Sequence, residues 1–169
     1  MGSGNSGNYG NTKEKSQNYA SSYHVTDGMH KLDINQGIYN DNVGYIKNPD
    51  AQNIDNLIKN DIILIDGKRK TVTWPYVLDL NNNLIIGPRV PKGDKSGSRH
   101  PHPELIGGKD PQVQCAGMIK IVNGKIDSID NQSGHYKPPL KSLEKVKDYL
   151  SKYNDNLFTK NSILRKGDK

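Results

Sequence analysis

The sequence is poor in cysteine, the residue that supplies disulfides and many metal sites. Cysteine occurs once, at Cys115, which excludes an internal disulfide and a cysteine-rich zinc site. Cys115 lies between a turn and the beginning of a strand-like run. We therefore interpret it as a small buried hydrophobe rather than as a nucleophile.

Long apolar runs are missing as well. No stretch approaches the roughly 18 consecutive apolar residues that a membrane-spanning helix requires. The first residues also lack the apolar segment of a secretory signal peptide. We therefore expect a protein without a membrane span that is cytoplasmic, or exported without a classical signal peptide.

Charge, by contrast, is plentiful and biased to one sign. The formal net charge is +6 and the isoelectric point is near 9.2. A basic protein favours acidic partners, so RNA or another nucleic acid is the first candidate and an anionic membrane the second. The lysines form no dense run, which is also typical of a protein that is basic without a nucleic-acid role.

Composition divides the chain into three parts. Residues 1–22 are rich in Gly, Ser and Asn and nearly lack aliphatic side chains, which predicts a flexible leader. Residues 23–158 contain the regular hydrophobic patterns of a single domain. Residues 159–169 form a short basic tail that we expect to fray.

Turn residues predict three hairpins within residues 23–158. A strand over Ile62–Ile65 turns at Asp66-Gly67, and two further turns lie at Asn81-Asn82-Asn83 and at Asn123-Gly124. Strands flank these last two turns, over Tyr76–Leu80, Leu84–Ile86, Met118–Val122 and Lys125–Ile129.

Two helices complete the expected fold. Asn48-Pro49-Asp50 has the residues of a helix start, and Ala51, Ile54, Leu57 and Ile58 would share one face. The last helix follows Pro138-Pro139 and carries an apolar stripe of Leu143, Val146, Leu150 and Tyr153. The fold class is therefore α+β: a twisted antiparallel sheet of hairpins, two to three flanking helices and a long Gly/Pro-rich loop.

Two loops are the best candidates for a functional site. Gly87–Pro111 is the longest stretch without clear secondary structure, and prolines stiffen its Arg99–Gly108 part on both sides of His102. The segment Ser133–Pro138 follows the third hairpin, and Gly134 allows a bend that would present His135 and Tyr136 at the end of the sheet.

The chemistry that these residues favour is cleavage of RNA without a metal or cofactor. Such a reaction needs one base, one acid and cations on the phosphate. Histidine serves both proton roles near neutral pH, so His135 would act with His100 or His102. The remaining candidates would contact the substrate: Arg99 and Lys137 at the phosphate, Tyr136 stacked on a base, and Ser133, Gly107 and Gly108.

Three different functions stay open beside this one. His100, His102 and His135 could bind a metal, although the neighbouring prolines argue against a central strand there. Tyr23-His24-Val25-Thr26 has a weak likeness to the first strand of ADP-ribosyltransferases. The third is a non-enzymatic binding or regulatory module, in which the histidines brace the loops and the glycine-rich turns contact a partner.

The order of the motifs resembles a module in the C-terminal half of plant IQ-motif calmodulin-binding proteins. It is similar also to a set of bacterial proteins that includes modules of polymorphic toxins. The shared part runs from Asp66 to Leu150, and its most specific pieces are Leu105-Ile106-Gly107-Gly108 and Ser133-Gly134-His135-Tyr136-Lys137-Pro138. Further pieces are Trp74, Tyr76-Val77-Leu78, Leu84-Ile85-Ile86-Gly87, His102, Ala116-Gly117 and Asn123-Gly124-Lys125.

The resemblance implies a single site and a bacterial effector role. It places His102, Gly107, Gly108, Gly134, His135 and Tyr136 together, and a toxin of this kind would have an immunity protein as its partner. The plant pattern has one histidine before its Gly-Gly pair at a slightly longer spacing, so the resemblance does not say which of His100 and His102 corresponds. The chain contains no IQ motif, and calmodulin is therefore not an expected partner.

Overall fold

The computed structural model of the protein describes residues 15–96, 98 and 100–166, which form an α+β fold. Its two α-helices are α1 (Asp27–Asn35) and α2 (Leu143–Leu150). The strands are β1 (Tyr39–Asn40), β2 (Gly44–Tyr45), β3 (Gln52–Asn53), β4 (Ile58–Lys59), β5 (Ile62–Ile63), β6 (Val72–Asp79), β7 (Leu84–Ile86), β8 (Val113–Val122) and β9 (Lys125–Ile129). Short 3₁₀ turns lie at Ile54–Leu57, His102–Leu105, Leu140–Ser142 and Asp155–Leu157.

The strands form one central antiparallel sheet and two small ribbons. The five-stranded sheet has the order β3-β7-β6-β8-β9, while β1 pairs with β2 and β4 with β5. The predicted α+β class with an antiparallel sheet of hairpins is thus confirmed. Tight turns connect the strands because Asn and Gly tolerate positive φ: Asn123 and Gly124 have φ of 48° and 80°.

Two hydrophobic clusters lie on the two faces of the sheet. Successive residues of β6 alternate between them, since Tyr76 and Leu78 belong to the first cluster and Val77 to the second. The first cluster contains the predicted stripe of α2 and also buries Cys115, whose burial raises the pKa of its thiol to about 11. The interpretation of Cys115 as a buried hydrophobe is therefore confirmed.

The second cluster supports the two candidate loops. Leu105 of the 3₁₀ turn and Tyr136 of the 133–138 segment pack together with Val77, Val113 and Ala116. Burial of these apolar side chains against one sheet face holds two segments that are remote in the chain side by side. This face of the sheet therefore carries the candidate site.

The helix expected after Asn48 does not form. The Asn48 side chain does accept the Asp50 N–H at 2.8 Å, but the chain continues as strand β3, one 3₁₀ turn and strand β4. Gln52 pairs with Ile86 of β7, so pairing with the sheet outweighs the local helical pattern. Ile54 and Leu57 share a side because residues three apart also align in a 3₁₀ helix.

The boundaries expected for the leader and the tail are wrong for the described residues. Within the predicted leader, Gln17 donates its backbone N–H to Lys137 O and its side-chain amide to Tyr136 O, each at 2.8 Å. Within the predicted tail, Thr159 N–H donates to Ile126 O at 2.9 Å, and Leu164 packs against the first cluster. Residues 15–22 and 159–166 are therefore parts of the folded unit.

Candidate functional site

The site is built from three segments that meet on one face of the sheet. Helix α1 supplies Asp33, the loop before β8 supplies His100 and Glu104, and the segment after β9 supplies His135. Burial by the second cluster fixes the last two segments, and α1 joins them because Thr26 N–H donates to His135 O at 2.8 Å. The fold thus collects titratable side chains that are far apart in sequence.

His135 forms a dyad with a buried carboxylate. Its Nε2 lies 2.9 Å from Oδ2 and 3.2 Å from Oδ1 of Asp33. The Asp33 side chain is only 2% exposed, and Tyr45 Oη donates to its Oδ2 at 2.5 Å. Because a carboxylate oxygen accepts, His135 Nε2 is the donor in this pair. Asp33 therefore fixes the orientation of the His135 ring.

His100 is held between two carboxylates. Its Nε2 lies 2.5 Å from Oδ2 of Asp94, and its Nδ1 contacts Oε1 of Glu104. Burial opposes the charge of the ring, but the hydrogen bonds to Asp94 and Glu104 outweigh this effect and raise the pKa of His100. Hydrogen bonds from His100 and Ser96 lower the pKa of Asp94 to about 2. His100 is therefore favoured as a cation with two N–H donors.

Glu104 connects the two histidine sites. Its side chain is buried, and this burial raises its pKa although it accepts a hydrogen bond from His100. Asp33 and His135 also act electrostatically on Glu104. Glu104 therefore contacts His100 directly and interacts with the dyad through its charge alone.

His102 has a different role from the one expected. Its Nε2 donates to the backbone oxygen of Gly117 at 2.8 Å, and the residue is only 3% exposed. Burial lowers the pKa of His102 to about 3, with further contributions from Arg89 and His135. The expectation that His102 is catalytic is therefore corrected: it is a neutral, buried anchor that joins the loop to β8.

The burial of His102 makes the fold sensitive to acid. The unfolded chain binds a proton at His102 near pH 6.5, whereas the folded chain resists it down to about pH 3. Stability from this group is therefore full above pH 6.5 and is lost as the pH falls. Between pH 7 and pH 4.5 we expect a loss of about 3 kcal/mol, measured by urea unfolding.

The His102→Gln variant tests this assignment, since a neutral amide still donates to Gly117 but does not titrate. The parent should lose about 3 kcal/mol of unfolding free energy between pH 7 and pH 4.5 through this group, and His102→Gln should not show this loss. His24→Gln is the matched control because the His24 side chain is 61% exposed. An equal acid dependence in the parent and in His102→Gln would contradict the assignment.

Several other expected site residues turn out to be structural. Tyr136 is fully buried and donates its hydroxyl to Pro111 O at 2.5 Å, so no face of its ring is open to a base. Lys137 and Ser133 are fully buried too, which removes them from the surface that a substrate would touch. The expected substrate contacts of Tyr136, Lys137 and Ser133 are therefore corrected to packing roles. Arg99 lies outside the described residues.

The Gly107-Gly108 pair closes the loop against strand β2. Both residues have positive φ, of 80° and 92°. Gly108 and Tyr45 exchange two backbone hydrogen bonds, of 2.8 and 2.9 Å. A Cβ on Gly44 would lie 2.2 Å from Gly108 O, so the two backbone segments approach too closely for a side chain at Gly44. The expected substrate contact of Gly107 and Gly108 is therefore corrected to a structural role. The pair holds strand β2 against the loop, and β2 carries Tyr45 to Asp33.

The residues that hold the histidines in place are not evident from the sequence. The predicted site residues did not include Asp33, Asp94, Tyr45 or Glu104. Asp33 precedes His135 by 102 residues, and no spacing rule connects them. For Glu104, the one local signal is its i,i+4 spacing from His100.

Arg89 is a further charged residue near the histidines that the sequence did not predict. Its guanidinium lies 3.4 Å from Met118 Sδ, and its positive charge helps to lower the pKa of His102. Arg89 belongs to the long Gly/Pro-rich loop, where no sequence pattern separates it from the other basic residues.

The features that suggested a metal site or an ADP-ribosyltransferase receive no support from the geometry. Among the described residues, no group of three or more His, Cys, Asp or Glu side chains has an arrangement that could hold a metal ion. His24 is exposed and pairs with Asp110 at 2.8 Å, apart from the dyad. None of the helices in the described part of the chain has the length and apolar character needed to cross a bilayer.

Comparisons of the chain with protein-family models, with curated proteins and with solved structures found no match. The resemblance to polymorphic-toxin modules and to plant IQ-motif proteins therefore stays a prediction.

Proposed function

We propose that this protein cleaves RNA by acid–base catalysis, with His135 as the base and His100 as the acid. The proposal rests on the different hydrogen-bond partners of the two imidazoles. In the neutral ring of His135 the hydrogen bond from Nε2 to Asp33 leaves the lone pair on Nδ1, while the hydrogen bonds to Asp94 and Glu104 favour the charged form of His100. A transesterification of RNA requires one unprotonated and one protonated imidazole.

The proton transfers balance in one step. His135 Nδ1 takes the proton of a ribose 2′-hydroxyl, and the 2′-oxygen forms a bond to phosphorus. The bond from phosphorus to the 5′-oxygen breaks, and His100 Nε2 gives its proton to that oxygen. In the reacting complex the 5′-oxygen takes the place of Asp94 as the hydrogen-bond partner of Nε2. The products are a 2′,3′-cyclic phosphate and a free 5′-hydroxyl.

Charge supports the same substrate class. The chain has a formal net charge of +6, which attracts a polyanion. Arg89 adds a positive charge near His102, because it helps to lower the pKa of that residue. The resemblance to toxin modules supports an effector role for this activity, with an immunity protein as the partner.

Purified protein incubated with single-stranded RNA and a metal chelator tests the proposal. We expect fragments that end in a 2′,3′-cyclic phosphate, with a rate that declines at alkaline pH as His100 loses its proton. Because the pKa of His100 is raised, the decline begins above the pH at which a free imidazole would lose its charge. RNA that stays intact over the whole pH range would refute the proposal.

The Asp94→Asn variant identifies the acid within this experiment. Loss of the carboxylate removes a hydrogen bond that raises the pKa of His100, so the alkaline decline of kcat/KM should move to lower pH. Asp66→Asn is the control, since Asp66 is an exposed carboxylate in a different ion pair, with Lys92. An unchanged profile for Asp94→Asn would assign the acid to a group other than His100.

A further inference from the structure

An aromatic cavity of about 240 Å³ lies beside the proposed catalytic dyad. Its lining includes His30, Tyr39 and Tyr45, whose rings contact one another edge to face. The centroids of His30 and Tyr39 are 4.5 Å apart, and those of Tyr39 and Tyr45 are 5.0 Å apart. None of these three residues was part of the site expected from the sequence.

Two contacts join this cavity to the dyad. Tyr45, which forms its inner wall, donates its hydroxyl to Asp33 at 2.5 Å, and Asp33 holds His135. On the other side, Thr26 lies between the lining residues Val25 and Asp27 and donates its N–H to His135 O at 2.8 Å. A ligand in the cavity is therefore separated from the dyad by a single side chain.

The rim of the cavity carries charges of both signs. Lys109 supplies a cation, and Tyr39 is oriented there because its hydroxyl donates to Lys109 O at 3.1 Å. Asp110 is paired with His24. Asp27 is exposed, and its carboxylate has no hydrogen-bond or ion-pair partner among the residues that the structure describes. Asp27 can therefore accept N–H groups from a ligand.

We propose that this cavity binds the base of the nucleotide next to the scissile phosphate, with a preference for guanine. The planes of His30 and Tyr39 are 73° apart, so a base stacks on the face of one of these rings and meets the edge of the other. The Asp27 carboxylate accepts the two adjacent N–H donors of the guanine Watson–Crick edge, which adenine does not offer. Lys109 binds the phosphate of this nucleotide. The inference rests on the proposed function, because it specifies the substrate of the same site.

Cleavage of two labelled oligoribonucleotides tests the inference. One carries a single guanosine among adenosines, and the other contains adenosines only. We expect the full chain to cleave after guanosine roughly tenfold faster, the effect typical of one bidentate base contact. Asp27→Asn should bring the two rates together, while Asp41→Asn, an exposed carboxylate outside the cavity, should leave the preference unchanged. Far-UV circular dichroism verifies that both variants fold.

The outcomes separate this inference from the proposed function. Cleavage without base preference, or with a preference that Asp27→Asn retains, would overturn the guanine site and leave the ribonuclease intact. If neither RNA is cleaved, fluorescence anisotropy with the same oligoribonucleotides decides. Tighter binding of the guanosine RNA that Asp27→Asn abolishes would support the site without the reaction, and equal binding of both RNAs would overturn the site.

Discussion

The His135→Gln variant is expected to cleave RNA about 10²- to 10⁴-fold more slowly than the parent protein. Glutamine still donates an N–H to Asp33, but its amide does not accept the proton of a 2′-hydroxyl at neutral pH. The reaction then loses its base while the buried carboxylate keeps a partner. Initial rates with single-stranded RNA under saturating conditions measure the effect.

The choice of glutamine matters because Asp33 is buried. Alanine at position 135 would leave Asp33 with only the Tyr45 hydroxyl, and an unsatisfied buried charge destabilises a protein by several kcal/mol. We expect His135→Gln to keep its unfolding midpoint in urea close to that of the parent. His24→Gln controls for loss of a histidine from the surface, and equal activity of His135→Gln and the parent would end the catalytic assignment.

Gly117→Ala is expected to destabilise the fold by at least about 3 kcal/mol, near the upper end of the cost of overpacking. A Cβ at this position would lie 2.0 Å from Asp130 O and 2.9 Å from Asn131 Cα. Both atoms are backbone, so no side-chain rotation relieves the clash. Asp130 O also accepts the Tyr76 hydroxyl at 2.6 Å, and Gly117 O accepts His102. Movement of either segment therefore breaks the hydrogen bond of Tyr76 or that of His102.

Gly93→Ala provides the matched comparison for that measurement. A Cβ on Gly93 would meet nothing within 4 Å, so its unfolding free energy should change by no more than about 0.5 kcal/mol. Urea unfolding of both variants at neutral pH gives the difference. A Gly117→Ala protein as stable as Gly93→Ala would mean that the chain at Asp130 does not cross β8 as closely as the structure has it.

Local chemistry made two of the three hairpins predictable. The β6–β7 and β8–β9 turns contain Asn82 and Asn123-Gly124, which have positive φ. The first predicted hairpin is wrong: Asp66-Gly67 has positive φ and an isolated Ile65–Lys68 bridge, but the strand before it, β5, pairs with β4. The apolar stripe of α2 likewise indicated which side of that helix is buried. These features depend on residues only a few positions apart, so the sequence contains the whole cause.

The wrong predictions share a different cause. The segment after Asn48 has a helical pattern, but it pairs with β7, a strand whose position the local sequence does not reveal. Residues 15–22 have the composition of a flexible segment, yet Gln17 hydrogen bonds to the backbone at Tyr136 and Lys137. In both cases the stabilising partner lies far along the chain.

The candidate site was predicted in part for the same reason. The sequence marked both loops and the histidines, because stiff His-bearing turns are recognisable locally. It did not distinguish His102, buried with a pKa near 3, from His100, which two carboxylates keep charged. Burial and charge environment depend on neighbours from other segments, so identical side chains two residues apart acquire opposite protonation.

By itself, the sequence determined the α+β class, the turns of two hairpins, the buried face of α2 and the two segments proposed to carry the site. The tertiary structure alone decided that Asp33 of α1 holds His135, that Glu104 is buried against His100 and that Tyr136 and Lys137 are buried. The physical reason is distance along the chain. Turn and strand preferences arise among neighbours, whereas hydrogen bonds and desolvation at the site arise only when folding brings remote segments together.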